Sequence, residues 1–467
     1  MTRRIVIEGC AIATVDAHGS EHRDGYLVIE DDRIVAVGEG SAPDGTGGAD
    51  GTGGPGGGDA RRIDGRGHLA TPGLVNCHHH LYQWATRGLA QQATLFEWLV
   101  ELYPVWALID DETCWAASRA GLAALARSGC SASTDHHYVF PRDAGDLLEV
   151  EIGAASSLGM RFHPCRGSMD LGRSDGGLPP DEVVEDRDAI LAASESAISR
   201  FHDPAPGAMV RIALAPCSPF SVTRGLMSDA AELARRRGVR LHTHLAETLD
   251  EERFCQERFG IRPVDYLDEL GWLGDDVWLA HCVHLDDAEI RRFGATGTGV
   301  AHCPNSNARL GAGIARVGDL VGAGVPVGLG VDGAASNEDG GLASEMRAAL
   351  QFARLAGGPK ALTARQGLAR ATIDGARCLG RDDELGSLEV GKLADVALWR
   401  LDGLDGAGIE DPVAALVFGA TQAVELLLVG GREIVAAGQL RTADEAQVAV
   451  EIARSSRRLA AKAEARV

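Results

Sequence analysis

The chain has 467 residues, 45% of them hydrophobic, enough for a sizeable core and for one α/β barrel, a unit that runs to about 250 residues or more. Its formal net charge of −22, from 45 basic and 67 acidic residues, repels nucleic acid and anionic membranes and favours a neutral small molecule as partner. Ten scattered cysteines without a CxxC pair, no stretch of membrane-spanning length and no apolar leader in MTRRIVIEGCAIATVD predict a cytoplasmic protein with reduced thiols.

Residues 4–38 read as short strands, because RIVIEGCAIATVD and GYLVIEDDRIVAVGE alternate β-branched with polar residues and break at Asp, Gly and His. The glycine-rich stretch 41–59 reads as a loop or hairpin tip. It is no phosphate cradle, since no strand-to-helix junction follows it.

From Leu74 to about Leu379 the rhythm changes. LVNCHHH, SASTDHH, MRFHPCR, VRIALAP, VRLHTHLAE, VWLAHCVH, TGVAHCP and VPVGLGVDG are short apolar runs separated by helix-patterned segments such as DDETCWAASRAGLAALARSG. Eight buried runs, each followed by helix or loop, predict a (β/α)8 TIM barrel. After Leu379 short strands return in GSLEVGKLADVALWRL and AVELLLVGGREIVAAGQ, which predicts that both chain ends build one small composite β-sandwich. The expected division is residues 1–71 and 381–442 for the β domain, 72–380 for the barrel and 443–467 for a terminal surface or docking helix.

Residues i and i+2 of a strand share a face. His78 and His80 can therefore point together into the barrel mouth, and His79 cannot join them. His242 and His244 form a second such pair with Glu247 just beyond; His281, His284 and Asp332 stand at two further strand ends. Imidazoles and carboxylates at the carboxyl ends of several barrel strands suit a divalent metal. Alternation alone does not choose between His242 and His244.

PGLVNCHHH, HLAE, AHCVH, AHCPNSN and VDG, with ATIDGARCLG and GSLEVGKLADVALW later, resemble the amidohydrolase superfamily over nearly the whole chain. The likeness is to its mononuclear-metal deaminases and chlorohydrolases of purines, pterins and triazines. The resemblance implies His78, His80, His244 and Asp332 as ligands of one divalent metal, zinc first, with iron fitting the same set. It assigns proton transfer to Glu247 and Asp332 and the orientation of water to His281. The HxxE match selects His244, leaving His242 as a supporting or packing residue and His79 toward the barrel wall. VRIALAP offers no lysine for carbamylation, which implies one metal and not two.

HHHLYQ, LFEWLVELYPVWA, TDHHYVFP and SMDLGRSDGGLPPD are similar to 8-oxoguanine deaminases. That likeness implies hydrolysis of the 2-amino group of 8-oxoguanine to urate and ammonia, and assembly into homo-oligomers. Isoxanthopterin or guanine deaminase, a triazine amino- or chlorohydrolase and, distantly, a non-catalytic metal-stabilised scaffold are the alternatives.

Gln83, whose amide both donates and accepts, and Arg166, a fixed cation, are expected at the heterocycle's edge. An ion pair of Arg166 with Asp135 or Glu151 is the competing reading. Trp98, Tyr103, Trp106 and Trp115 are candidates for ring stacking or for core packing. Tyr138 is a candidate for lining the pocket; His136 and His137 read equally as caps of the barrel wall. Cys303, Asn305 and Asn307 read as turn-shaping residues beside Pro304.

Overall fold

The computed structural model describes residues 3–43, 60–420 and 423–466. Eight parallel strands close into a barrel: β1 (Leu74–Asn76), β2 (Cys130–His137), β3 (Arg161–Ser168), β4 (Ala213–Pro216), β5 (Arg240–Leu245), β6 (Val277–His281), β7 (Gly299–His302) and β8 (Val327–Leu329). Each is one of the apolar runs expected from the sequence, and β8 returns to pair with β1. Most of the inward-facing residues are small, among them Ala132, Cys165, Ala213, Ala215 and Ala301. That leaves room in the barrel for the Trp278 ring and the histidines above it.

The helices that matter for the site are α1 (Leu95–Trp106), α2 (Asp111–Arg127) and α3 (Leu147–Leu158). Thr94 and Glu97 form a capping box at the start of α1. The Asp110 carboxylate accepts the Thr113 amide at the start of α2, at 2.9 Å. Both satisfy donors that a helix N-terminus leaves open.

The chain ends share one nine-stranded mixed sheet beside the barrel. The two halves join where His68–Pro72 runs antiparallel to Val396–Arg400, pairing His68 with Arg400 and Pro72 with Val396. Ile5, Leu27 and Ile29 from the first half and Val396, Leu426 and Leu428 from the second are buried in one core, so the sheet closes over its own apolar face. Most of the glycine-rich stretch, residues 44–59, lies outside the described residues.

The C-terminal helix Glu445–Glu464 docks on α2. Arg458 and Lys462 pair with Asp110 at 2.6 and 2.7 Å, and Arg119 pairs with Glu451 at 2.8 Å. Ser456 donates to the Ala85 carbonyl at 2.8 Å, bracing the 3₁₀ turn Leu81–Thr86 that carries Gln83. Among the described residues no helix is long and apolar enough to cross a membrane, and all ten cysteines are buried and unpaired.

Candidate functional site

Strand β1 stops at Asn76, and His79–His80 then pairs with Asp332–Gly333 as a separate short ladder. This break carries the histidine run across the carboxyl rim, facing the ends of β5, β6 and β8.

The hydrogen bonds of the ring Nδ1 atoms fix the tautomers. His80 donates from Nδ1 to the His136 carbonyl at 2.7 Å, and His244 donates from Nδ1 to the Cys217 carbonyl at 2.6 Å. His242 donates from Nδ1 to the Trp278 carbonyl at 2.8 Å, so its Nε2 accepts from His78 Nδ1 at 2.7 Å. Three Nε2 lone pairs, on His78, His80 and His244, are therefore left pointing at one another.

His80 Nε2 lies 3.1 Å from His244 Nε2, and Asp332 Oδ1 lies 3.3 Å from the Nε2 of both His78 and His80. All four residues are buried. Lone pairs gathered this closely repel one another unless a cation lies between them. The separations fit the ~3.4 Å edge of a tetrahedron with metal–ligand bonds of ~2.0–2.1 Å. These residues could hold a divalent metal. His242, stacked on Trp278 with centroids 4.4 Å apart, holds His78 in place and contributes no free nitrogen, while His79 accepts the His80 amide through its own Nδ1 at 2.8 Å.

The acid–base groups stand beside this set. Asp332 Oδ2 accepts from Ser306 at 2.5 Å. Burial works to raise the Asp332 carboxyl, but the surrounding imidazoles, His78 foremost, outweigh it and hold the group well below the usual carboxylate range. His281 donates from Nδ1 to Asn307 Oδ1 at 2.9 Å, and its Nε2 faces Glu247 at 3.6 Å and Asp332 at 3.8 Å. Burial works to lower His281, yet these two carboxylates raise it above its ordinary value. Burial pushes the Glu247 carboxyl up to about 7, so near neutrality it can both hold and release a proton.

The backbone here is unusual. Ala246, His281 and Asp332 have φ of 49°, 70° and 59°, left-handed values that cost non-glycine residues on the order of 1–3 kcal/mol each. The buried Glu251 carboxylate holds one of these turns by accepting the Ala246 and Glu247 amides at 2.8 and 2.9 Å.

Above the set lies a tight, half-open cavity of about 30 Å³. Its floor is His80, His244, Glu247, His281 and Asp332; Leu95, Trp98 and Leu99 of α1 form an apolar wall, and Tyr138 also lines it. Gln83 lines the cavity with both amide atoms buried and without a hydrogen-bond partner among the described residues. Gly333 makes this possible, because a Cβ there would sit 1.7 Å from Gln83 Oε1.

Two expected substrate contacts lie elsewhere. Arg166 does not line the cavity. Inward Cys165 and Gly167 flank it on β3, so strand alternation turns its side chain outward; there it lies over Phe140, 3.7 Å from the ring centroid, and pairs with Glu185 at 2.7 Å. The anticipated alternative partners, Asp135 and Glu151, are not its partners either. Trp115 is half-buried on α2 in the outer helical layer, beside Arg119 and facing Gly153 of α3.

Asn307, read from the sequence as turn-shaping, orients His281, and the HCPNSN run that follows β7 carried that signal. Trp98 and Tyr103 line the cavity, whereas Trp106 is core and donates to Thr86 at 3.1 Å. His284 turns away to the Ala312 carbonyl at 2.8 Å.

Fold and site together define a barrel enzyme with a candidate metal centre at its carboxyl rim. The family model described as the amidohydrolase family matches residues 69–434, and the chain belongs to that family of hydrolases. It is 48% identical to the 8-oxoguanine deaminase of Pseudomonas aeruginosa over 423 residues, covering 90% of this chain and 91% of the relative. It is 38% identical to an isoxanthopterin deaminase from an unknown prokaryotic organism, covering 83% of this chain and 85% of that one. Among solved structures, atrazine chlorohydrolase from Arthrobacter aurescens TC1 complexed with zinc superimposes with a TM-score of 0.89 at 34% identity, covering 97% of this chain and all of the other.

Proposed function

We propose that this protein is a zinc-dependent deaminase that hydrolyses 8-oxoguanine to urate and ammonia. The observation that carries the proposal is the donor set itself: three free Nε2 lone pairs and a depressed carboxylate beneath a cavity, with a protonatable Glu247 alongside. The relative of highest identity quoted above supports the choice of heterocycle.

His78, His80, His244 and Asp332 would hold the metal. When bound, a divalent cation in such a set activates water as a nucleophile near neutral pH; zinc is the first expectation for these nitrogen and oxygen donors, and iron fits them too. Asp332 accepts the proton that the attacking water gives up. Glu247, which keeps a proton near neutrality, delivers it to the ring nitrogen and, with Asp332, serves the departing amine. His281, its Nε2 turned to both carboxylates, donates to the oxygen that gains negative charge.

Gln83 reads the edge of the heterocycle, since a buried amide with both ends free pairs with a lactam N–H and C=O. The wall of Leu95, Trp98 and Leu99 takes the flat faces, and Tyr138 closes one side. Arg166 and Trp115 have no part in this reading.

Purified, zinc-loaded protein assayed for ammonia with 8-oxoguanine, isoxanthopterin, guanine, cytosine and hydroxyatrazine tests the proposal. The expected outcome is the highest kcat/KM on 8-oxoguanine. Preference for isoxanthopterin, or release of alkylamine from triazines, would reassign the substrate within the same chemistry. A Glu247→Gln protein that keeps its metal and full activity would remove the mechanism.

A further inference from the structure

The outer side of β2 carries a second buried polar cluster. Successive residues of a strand point to opposite faces. His136 faces inward and stacks on His244 with centroids 4.7 Å apart, whereas His137 faces out to Glu151 of α3, with Nδ1 2.7 Å from Oε1. Asp135, His137 and Glu151 are all fully buried, and Cys114 of α2 lies 3.9 Å from Glu151. Among the described residues no lysine or arginine forms an ion pair with either carboxyl.

Burial, and for Asp135 the neighbouring Glu151, push both carboxyls well above the usual carboxylate range. His137 donates from Nε2 to the Val139 carbonyl at 2.8 Å, so its Nδ1 accepts the proton that Glu151 retains. Cys114, His137 and Glu151 lie close enough together to suggest a cation site. However, the His137–Glu151 separation is that of a hydrogen bond, and the two groups spend their donor and acceptor on each other.

Burying two acids without a cation is costly, and what Asp135 does in return is local. Its Oδ1 accepts the Leu81 amide at 2.6 Å, the peptide immediately after His80. The carbonyl of the next residue on the same strand, His136, accepts His80 Nδ1–H at 2.7 Å. The backbone and the ring of His80 are thus tied separately to adjacent residues of β2.

We propose that Asp135 is a positioning residue for His80, fixing through the Leu81 amide the depth and rotation at which His80 Nε2 meets His244 Nε2 and Asp332. The inference rests on the reading of His80 as a metal ligand. The second oxygen of Asp135, Oδ2, is buried and has no hydrogen-bond partner among the described residues, so the Leu81 amide is the polar contact that fixes this carboxyl. Groups that orient ligands in this way typically set metal affinity by 10- to 100-fold.

The test compares full-length wild type with Asp135→Leu, which fills the space without an acceptor, and Asp135→Asn, which keeps one. Zinc affinity is read by chelator competition, the visible spectrum is recorded after cobalt substitution, and the Tm of each metal-free protein reports folding. Asp135→Leu should bind zinc 10- to 100-fold more weakly and shift the cobalt bands, while Asp135→Asn stays within about threefold of wild type. If Asp135→Leu does not fold, Asp135→Ser, too short to reach Leu81, carries the same expectation. Wild-type affinity and an unshifted spectrum in Leu or Ser would overturn the inference and leave the proposed function standing. Wild type that binds no metal would overturn both, and two zinc ions per wild-type chain would overturn the inference by making the cluster a second site.

Discussion

The two ends of the barrel both bury charge, and they do so in opposite ways. At the amino end Arg161, 1% exposed, meets Asp395 through two contacts of 3.1 and 3.0 Å and also donates to the Gly207 carbonyl at 2.8 Å. Asp395 accepts the Gly430 amide at 2.8 Å as well, so one compensated pair links barrel and sheet. Arg381 and Glu384 repeat the pattern nearby at 2.6 Å. At the carboxyl end His78, His80, His244 and Asp332 face one another with acceptors and no donor between them. Satisfied polar burial holds layers together; unsatisfied burial, kept in place by strained backbone at His281 and Asp332, marks where a ligand completes the structure.

The largest effect that would sharpen this contrast is removal of the metal. Chelation, or His244→Ala, should abolish ammonia release, and zinc should restore the chelated wild type only. Activity that persists in metal-free protein, checked by elemental analysis, would break the comparison at its rim. Glu247→Gln should lower kcat by 10²- to 10⁴-fold, the usual range for a positioned acid or base, with zinc content unchanged.

The amino end predicts the reverse pattern. Arg161→Ala leaves Asp395 buried and unpaired and should destabilise the fold by about 3–5 kcal/mol, seen as a lower midpoint in urea, while kcat at low temperature stays close to wild type. A comparable loss of kcat without loss of stability would mean the two ends are not distinct.

Gln83→Ala should lower kcat/KM by about 10- to 100-fold through the lost edge contacts, with metal content intact; unchanged kinetics would take Gln83 out of the site. The smallest effect concerns Glu345, which accepts from Asn305 and Asn337 at 2.7 and 2.6 Å behind the Asp332 loop and is pushed by burial to about 8. A carboxyl raised on folding contributes stability that is complete below its unfolded pKa and declines as pH rises toward the folded value. Between pH 6 and 8 wild type should therefore lose about 2 kcal/mol that Glu345→Gln retains. Parallel Tm curves for the two proteins would contradict this.

Several features are legible in the sequence. The eight barrel runs announced themselves by apolar blocks spaced with helices, and the ligand candidates by histidines two residues apart at the ends of those blocks. Arg166 lies outside the cavity, and the sequence carries the reason: Cys165 and Gly167 on either side are the small residues a crowded barrel interior needs, which turns the arginine outward. Trp115 sits in the outer helical layer; in an aromatic-poor chain every tryptophan looks like a stacking partner, and helix periodicity does not say which helix face meets the cavity. Asn307 reads as a turn former in the sequence because its partner, His281, is 26 residues away.

By itself, then, the sequence determined the barrel, the paired chain ends and the residue types able to grip a cation, because these follow from local periodicity and side-chain chemistry. Only the tertiary structure decided which imidazoles keep a free nitrogen. His242 and His244 are equivalent by strand alternation, and they differ because one reaches His78 and Trp278 while the other reaches the Cys217 carbonyl. A tautomer is set by the partner across the barrel, and that partner is a long-range contact no local pattern encodes.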